Sequence, residues 1–297
     1  MQAMLGQVPP LPAQARRVGD LLRAATPGQA GDSGTDWQKG VITWPESLAG
    51  WKTLLDCSTA EEDYDVTTSG DAVGAVPYLI QTAVDCPRAP IPEMAARARR
   101  RIEAITSQAV ARELWTGALS ADDPWELPDS ITWTLSNHSP ATGTYVNPYL
   151  RAATLLNAAD VGGDPATLPS PAAALGMVES AVADTMVGGP IYLHVPLAVL
   201  FELALGLERR GDLLYTPAGS IVVADGGYPG TSADTGGATA IYGTGPVQVW
   251  LGETTVYDEP SWVVDPATNV ARVWAERPAL VLFDPQTLVG AAVSPEG

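Results

Sequence analysis

The sequence predicts an α+β protein: one long helix, a few shorter helices and a closing set of strands, with one α/β unit inserted between them. Three observations carry this reading. Ile91 to Trp115 reads as one uninterrupted helix. Short apolar segments such as SIVVAD, PVQVWLG and ALVLF are bounded by turn residues, as strands are. The chain holds 29 glycines and 26 prolines but only two phenylalanines, which favours short elements joined by many turns over a helical bundle.

The long helix is marked at both ends. Pro92 suits a first turn, Glu93 lies at the positive end of the helix dipole, and Gly117 stands just beyond the last helical residue. Ala95, Ala98, Ile102, Ile105 and Ala109 follow 3-4 spacing and make a narrow apolar stripe that drifts onto Val110 and Leu114, while Arg97, Arg100 and Arg101 cover other faces. A stripe of this width suits a helix lying across a sheet or a neighbouring subunit, not one buried all round.

Residues 1 to about 36 hold a short amphipathic segment, Arg16 to Ala25, then the glycine-rich TPGQAGDSGTD, and read as an arm with nothing to pack. From Lys39, GVITW and then AVPYLIQTAV (Ala75 to Val84) read as the two strands of a hairpin with a long acidic tip containing AEEDYD. After the long helix, NPYLRAATLLNAAD reads as a second helix begun at Asn147 and Pro148, and Ala172 to Met186 as a third, with Leu175, Val178, Val182 and Met186 in phase. PIYLHVP is a buried strand, Leu197 to Arg209 a helix stopped by Gly211, and SIVVAD, PVQVWLG, NVARVWAE and ALVLF are strands. No repeat of fixed period is present.

A chain of 297 residues is long enough for two domains. No apolar run is long enough to span a bilayer and the N-terminus lacks a secretion signal, so a cytosolic, unprocessed protein is expected. The net charge of −18 argues against a protein that grips nucleic acid, which needs clustered lysine and arginine. It suits equally a container that must not stick to nucleic acid and an abundant protein kept soluble. Cys57 and Cys86 have no metal-ligand spacing and are expected as free thiols.

Signs of catalysis are sparse. The sequence holds no GxSxG elbow, P-loop, strand-to-helix GxGxxG or HExxH, so neither an enzyme nor a cofactor is expected. His138 lies in a predicted loop and His194 in an apolar strand, where a satisfied core histidine is the expectation. The loop GGYPGTSADTGG around Tyr228 offers backbone amides to an anion, and Asp122, Asp123 and Glu126 form an acidic loop. A soluble enzyme with a site near Tyr228 and His194 stays open as an alternative.

The order of GGPIYLHVPLAVLFELALGLERRGDLL, SIVVAD with GGYPG, GPVQVWLG and NVARVWAERPALVLFDPQTLVGAAV resembles the major capsid proteins of tailed bacteriophages with the HK-ninety-seven-like (Johnson) fold, which encapsulins share. The stretch Asn269 to Val293 is the most specific, with the pair Glu276-Arg277 followed by an apolar stretch and Pro285. The resemblance follows element order over most of the chain and motif over about 100 residues, with no strict signature.

It implies an N-arm at 1–37, an extended E-loop hairpin at 38–87, a P-domain with the long spine helix at 88–161, an A-domain at 162–260 and a return to the P-domain at 261–297. It also implies a structural protein, not an enzyme: copies self-assemble as hexamers and pentamers into the icosahedral head of a tailed double-stranded DNA bacteriophage, enclosing DNA without sequence-specific binding. The implied location is the virion, assembled in the bacterial host cytoplasm, with no membrane contact. A portal protein and a decoration protein are implied partners, and since no charged helical segment precedes the arm, scaffolding is expected from a separate protein. An encapsulin-like nanocompartment shell is the nearest alternative. Trp37, Trp44, Trp51, Ile102, Ile105 and Tyr228 are candidate intersubunit anchors. In some family members an E-loop lysine and a P-domain asparagine form an isopeptide bond assisted by a carboxylate; Lys39, Lys52, Asn269 and Glu276 are the residues of those types here. The seven-residue offset from Asn269 to Glu276 places the two on opposite faces of a regular strand, which argues against the bond unless a bend intervenes.

Overall fold

The structure, a computed structural model, describes residues 19–28, 41–43, 73–86, 90–119, 147–153, 155–156, 168–186, 188–229, 239–258, 264–265 and 270–294. In chain order the helices are α1 (Leu21–Ala24), α2 (Ile91–Thr116), α3 (Pro171–Thr185) and α4 (Leu197–Leu203). The strands are β1 (Thr26–Pro27), β2 (Val41–Thr43), β3 (Val73–Ala75), β4 (Tyr78–Cys86), β5 (Leu155–Leu156), β6 (Tyr192–His194), β7 (Glu208–Arg210) and β8 (Leu213–Tyr215). They continue with β9 (Ile221–Val223), β10 (Thr239–Thr244), β11 (Gln248–Leu251), β12 (Thr255–Tyr257), β13 (Val264–Asp265), β14 (Val270–Leu282) and β15 (Val289–Val293).

Among the described residues the strands form two main sheets and the pair β2-β3. In the first sheet β14 is the centre: β4 runs antiparallel along one side from Ala271↔Cys86 to Ala279↔Tyr78, while β13, β12 and β11 pair in turn along the other, with β1 parallel outside β11. The second sheet is mixed, in the order β5-β15-β10-β6-β9-β8-β7.

Helix α2 joins the two. Gly117, in the left-handed conformation at φ 62°, caps it by donating to the Glu113 carbonyl at 2.7 Å. Any Cβ there would stand 2.8 Å from the Tyr149 ring, so glycine fits both the conformation and the space. The expected ends therefore match, but the buried stripe does not. Met94, Ala98, Ile102, Thr106, Val110 and Leu114 form a row at spacing four, while Ala95, Ile105 and Ala109 are only half-buried. Thr106 enters the row because its hydroxyl donates to the Ile102 carbonyl at 2.7 Å, which satisfies the group inside the helix. A spacing of four advances about 40° per step, so the row winds round the helix. Its first half packs on β4 and β14, where Ile80, Val84, Val273 and Ala275 are buried, and its last turn packs against the second sheet, Trp115 meeting Tyr242 of β10. There Val110, Ala111, Glu113, Leu114 and Trp115 are all buried, so this end is covered nearly all round, unlike the expected surface stripe.

Several other expectations are corrected. The N-terminal segment is not wholly a free arm: Leu21 is fully buried, Gly19 bonds both ways to the second sheet's loops (Gly19 N to Asp212 O, 3.1 Å; Ala224 N to Gly19 O, 2.8 Å), and β1 pairs with β11. Residues 19–28 thus form a strap across both sheets. The second hairpin strand is divided at Val76-Pro77: β3 pairs with β2, whereas β4 belongs to the first sheet. Asn147 begins no α-helix. Its amide side chain clamps Val76, accepting from its N–H at 2.7 Å and donating to its carbonyl at 2.9 Å, and a single 3-10 turn leads into β5, which pairs parallel with β15. The helix expected to reach Arg209 stops at Leu203. ERR and LLY instead form the hairpin β7-β8, with Gly211 at φ 64° in its two-residue turn. NVARVWAE and ALVLF are one strand, β14. Pro278 is tolerated inside it because Arg277 and Pro278 lie between the β12 and β11 pairings, opposite Gly252, whose N–H donates to the Pro278 carbonyl at 2.9 Å. Within the stretch expected to return to the first sheet, β15 pairs with β10 and so joins the second.

Candidate functional site

The two sheets present different surfaces. On the first, strand alternation sends Val273, Ala275, Ala279 and Val281 towards α2, and Arg272, Trp274 and Glu276 to the other face. With Gln81, Thr82 and Ala83 of β4 these last three line a shallow groove of about 480 Å³. Arg272 and its cross-strand partner Asp85 form a two-pronged pair at 2.8 and 2.9 Å, and the hydrogen bond from Arg272 holds the Asp85 carboxyl below its ordinary range. Glu276 accepts from Gln81 Nε2 at 3.0 Å and from the Tyr257 hydroxyl at 3.1 Å; that hydrogen bond to a carboxylate raises the Tyr257 phenol. The Tyr257 ring stacks on Trp274, with centroids 5.5 Å apart. Both Glu276 oxygens are therefore engaged. Lys39, Lys52 and Asn269, the other residues of the expected cross-link, lie outside the described residues, as do Trp37, Trp44 and Trp51.

Tyr228 and His194 are brought together, but inside the protein. His194 sits on β6 beside Thr244 and reaches the Tyr228 hydroxyl at 2.8 Å through Nδ1 and Thr244 Oγ1 at 3.1 Å through Nε2. The Thr244 hydroxyl donates to the Gly245 carbonyl, so its oxygen accepts from His194 Nε2–H, which leaves Nδ1 to accept from Tyr228. Burial pushes the imidazole down to about 3 and raises the Tyr228 phenol well above its ordinary range. Trp115 packs against the Tyr228 and Tyr242 rings at 4.8 and 4.9 Å. Both His194 nitrogens have fixed partners and the ring has no exposed surface, which is the arrangement of a satisfied core histidine. Among the described residues no cluster of three or more His, Cys, Asp or Glu is placed to hold a metal ion, and no helix is long and apolar enough to cross a membrane.

Two expected anchors are corrected by the same burial. Ile102 is fully buried and Tyr228 only 6% exposed, so nearly all of their apolar surface is used within the chain. Ile105 is half-buried against the same core. Among the described residues the two most exposed large apolar groups were not singled out from the sequence: Phe201 on α4 is 78% exposed and Leu205, in the following 3-10 turn, is wholly exposed. Their signal lay in PLAVLFELALGL, which carries apolar residues all round a helix that sets only Val199, Leu200 and Leu203 against the core.

No protein-family model and no curated protein matches the chain. Among solved structures it is similar to the capsid of an empty GTA particle, with TM-score 0.51 and 11% identity over 94% of this chain and 98% of that one. The capsid of a native GTA particle gives 0.50 and 14% over 95% and 98%. The fold is the HK-ninety-seven-like capsid fold. Within that capsid fold, the long helix laid on a sheet centred on β14 and the second sheet reached through its C-terminal turn are the two bodies described above. A structure described as Mycobacterium phage Ogopogo aligns over 95% of this chain and 94% of that one at 14% identity, with TM-score 0.48.

Proposed function

We propose that the chain is a major capsid protein, whose copies assemble as hexamers and pentamers into the icosahedral head of a tailed double-stranded DNA bacteriophage or a related particle. One observation carries the reading: the likeness to the capsid of an empty GTA particle spans 94% of this chain and 98% of that one. Three further features support it. The exposed Phe201 and Leu205 suit contacts between subunits. The charge of −18 suits an enclosure that does not bind its DNA by sequence. The only two histidines are His138, outside the described residues, and His194, held in the core, which suits a structural role better than a catalytic one. On this reading 1–37 is the N-arm, held to its own subunit through residues 19–28; 38–87 is the E-loop; 88–161 and 261–297 contribute to the P-domain and 162–260 to the A-domain, except that β11 and β12 join the sheet of β14 and β15 joins the other. A separate scaffolding protein and a portal are its partners, with a decoration protein left open, and it acts in the virion after assembly in the host cytoplasm.

Sedimentation and electron microscopy of the purified chain, alone and co-expressed with its scaffolding partner, test this. Closed particles in the megadalton range are expected, since each weak contact is multiplied round a shell. A species of tens of kilodaltons under every condition would overturn the proposal.

A further inference from the structure

Two buried carboxyls and one hydroxyl meet where the N-terminal strap crosses α2. Asp20 caps α1, accepting from Leu22 N at 2.8 Å, and the same oxygen contacts Ser107 Oγ of α2. Ser107 Oγ also stands 3.0 Å from Asp225 Oδ2, in the loop after β9. Asp225 in turn accepts from Gly227 N at 2.9 Å and from Leu21 N of the strap at 3.3 Å. Asp20 is 6% exposed and Asp225 5%.

The protons do not add up if both acids are ionised. Two oxygen-oxygen contacts run from Ser107 Oγ to groups that, when charged, only accept, yet serine has a single hydrogen to donate. The second contact becomes a hydrogen bond only when one carboxyl carries a proton and donates it to the serine oxygen. Nothing cationic takes the proton's place: neither acid has an ion pair among the described residues. The groups facing them are the Tyr228 hydroxyl, held by His194, from the same loop, and the Asp212 carbonyl, which takes Gly19 N, from the β7-β8 turn. Arg23 on the strap and Arg112 on α2 are exposed, and Gln108 on α2 bonds to the Gly226 carbonyl.

We propose that Asp20, Ser107 and Asp225 form a proton-linked latch, which holds one proton between the two carboxyls while residues 19–28 are docked and weakens that docking when the proton leaves. The direction of the Asp225 titration agrees. Burial, the largest influence, raises its carboxyl, and the neighbouring Asp20 charge adds to this; the Gly227 and Leu21 amides and the Ser107 hydroxyl oppose it. The docked strap then binds more protons than the released one. Docking tightens as pH falls towards the ordinary carboxyl range near about 4 and loosens as pH rises through the raised value, by at most about tenfold per pH unit. This inference is independent of the proposed shell.

Amide hydrogen exchange on the full-length chain from about pH 4, the ordinary carboxyl range, up to about pH 8, corrected for intrinsic rates, tests it. The Leu21, Leu22 and Ala24 amides should lose protection with rising pH, up to about tenfold per unit, while Val178 and Val182 in α3 do not follow. Asp225→Asn, which puts an N–H donor beside Ser107 without a charge, should flatten the strap's dependence. If that variant does not fold, Asp20→Asn, which also removes one charge and keeps an acceptor for Leu22 N, serves in its place. Infrared spectroscopy of the unaltered chain should show a protonated buried carboxyl at a pH where exposed carboxyls are ionised. A pH-independent strap, an unchanged slope in the folded variant, or no protonated carboxyl while the strap is docked would overturn the latch.

Discussion

The two sheets are built from similar strand material but are covered differently. In the second, residues alternate between two cores. Tyr192, Ile221, Val223 and Tyr242 face the α2 side, while Leu193, Val222 and Ile241 face α3 and α4. In the first, only the α2 side is covered along the whole length of β14. The opposite side is closed at one end by Ala75, Trp250, Leu280 and Leu282, and at the other it shows Arg272, Trp274 and Glu276. Strand composition follows: IVV and YLH where both faces are buried, ARVWAE where one is open. What this teaches is that the central strands of the second sheet are covered on both faces by the chain itself, whereas the first leaves a polar, aromatic face that its own described elements do not cover.

Trp115→Ala offers the most severe way to break the comparison, because the indole fills the junction where α2 meets the doubly covered sheet. We expect a loss of about 3–5 kcal/mol in unfolding free energy from denaturant titration. A loss below 1 kcal/mol would show that the junction is not a shared core.

The next effect is one of pH and belongs to the same buried side. His194 has a folded value of about 3, below the ordinary 6.5, so the unfolded chain binds a proton that the folded chain refuses. Its contribution is fully present above about pH 6.5 and is lost as pH falls towards 3, at up to about 1.4 kcal/mol per unit. His194→Gln should flatten that part of the stability-pH curve; an unchanged slope would show that the ring is not held neutral. This slope is opposite in sign to the one expected of the strap, so the two are separable.

The smallest effect is expected on the open face. Arg272 and Asp85 are both solvent-exposed, and Arg272→Ala should leave the melting temperature of the single chain unchanged within error. A clear drop would mean that this face is already structural in the single chain.

Much of the fold was legible. Pro92 and Gly117 mark the ends of α2, the 3-4 periodicity of Leu175, Val178 and Val182 marks α3, and the apolar runs of β6, β9 and β11 stand where they were expected. Strands whose identity depends on a distant partner were not. β10 lies in a glycine-rich stretch and is fixed by pairing with β15 and β6; Leu155-Leu156 turns from helix to strand because β15 offers an edge. The candidate site was less legible still. Ile102 and Tyr228 have the residue types of interface anchors, and only the packing of α2 and the second sheet around them shows that they are interior.

By itself the sequence determined which segments are helix or strand wherever local signals agree, and that the chain is acidic and poor in catalytic groups. The tertiary structure decided which apolar surface is left over. Periodicity tells how much apolar area an element carries but not how many neighbours will cover it, so Phe201 and Ile102 are alike in sequence and opposite in exposure. It also brought Asp20, Ser107 and Asp225 into contact across more than 200 residues of chain, a juxtaposition set by how the strap, α2 and the second sheet close on one another.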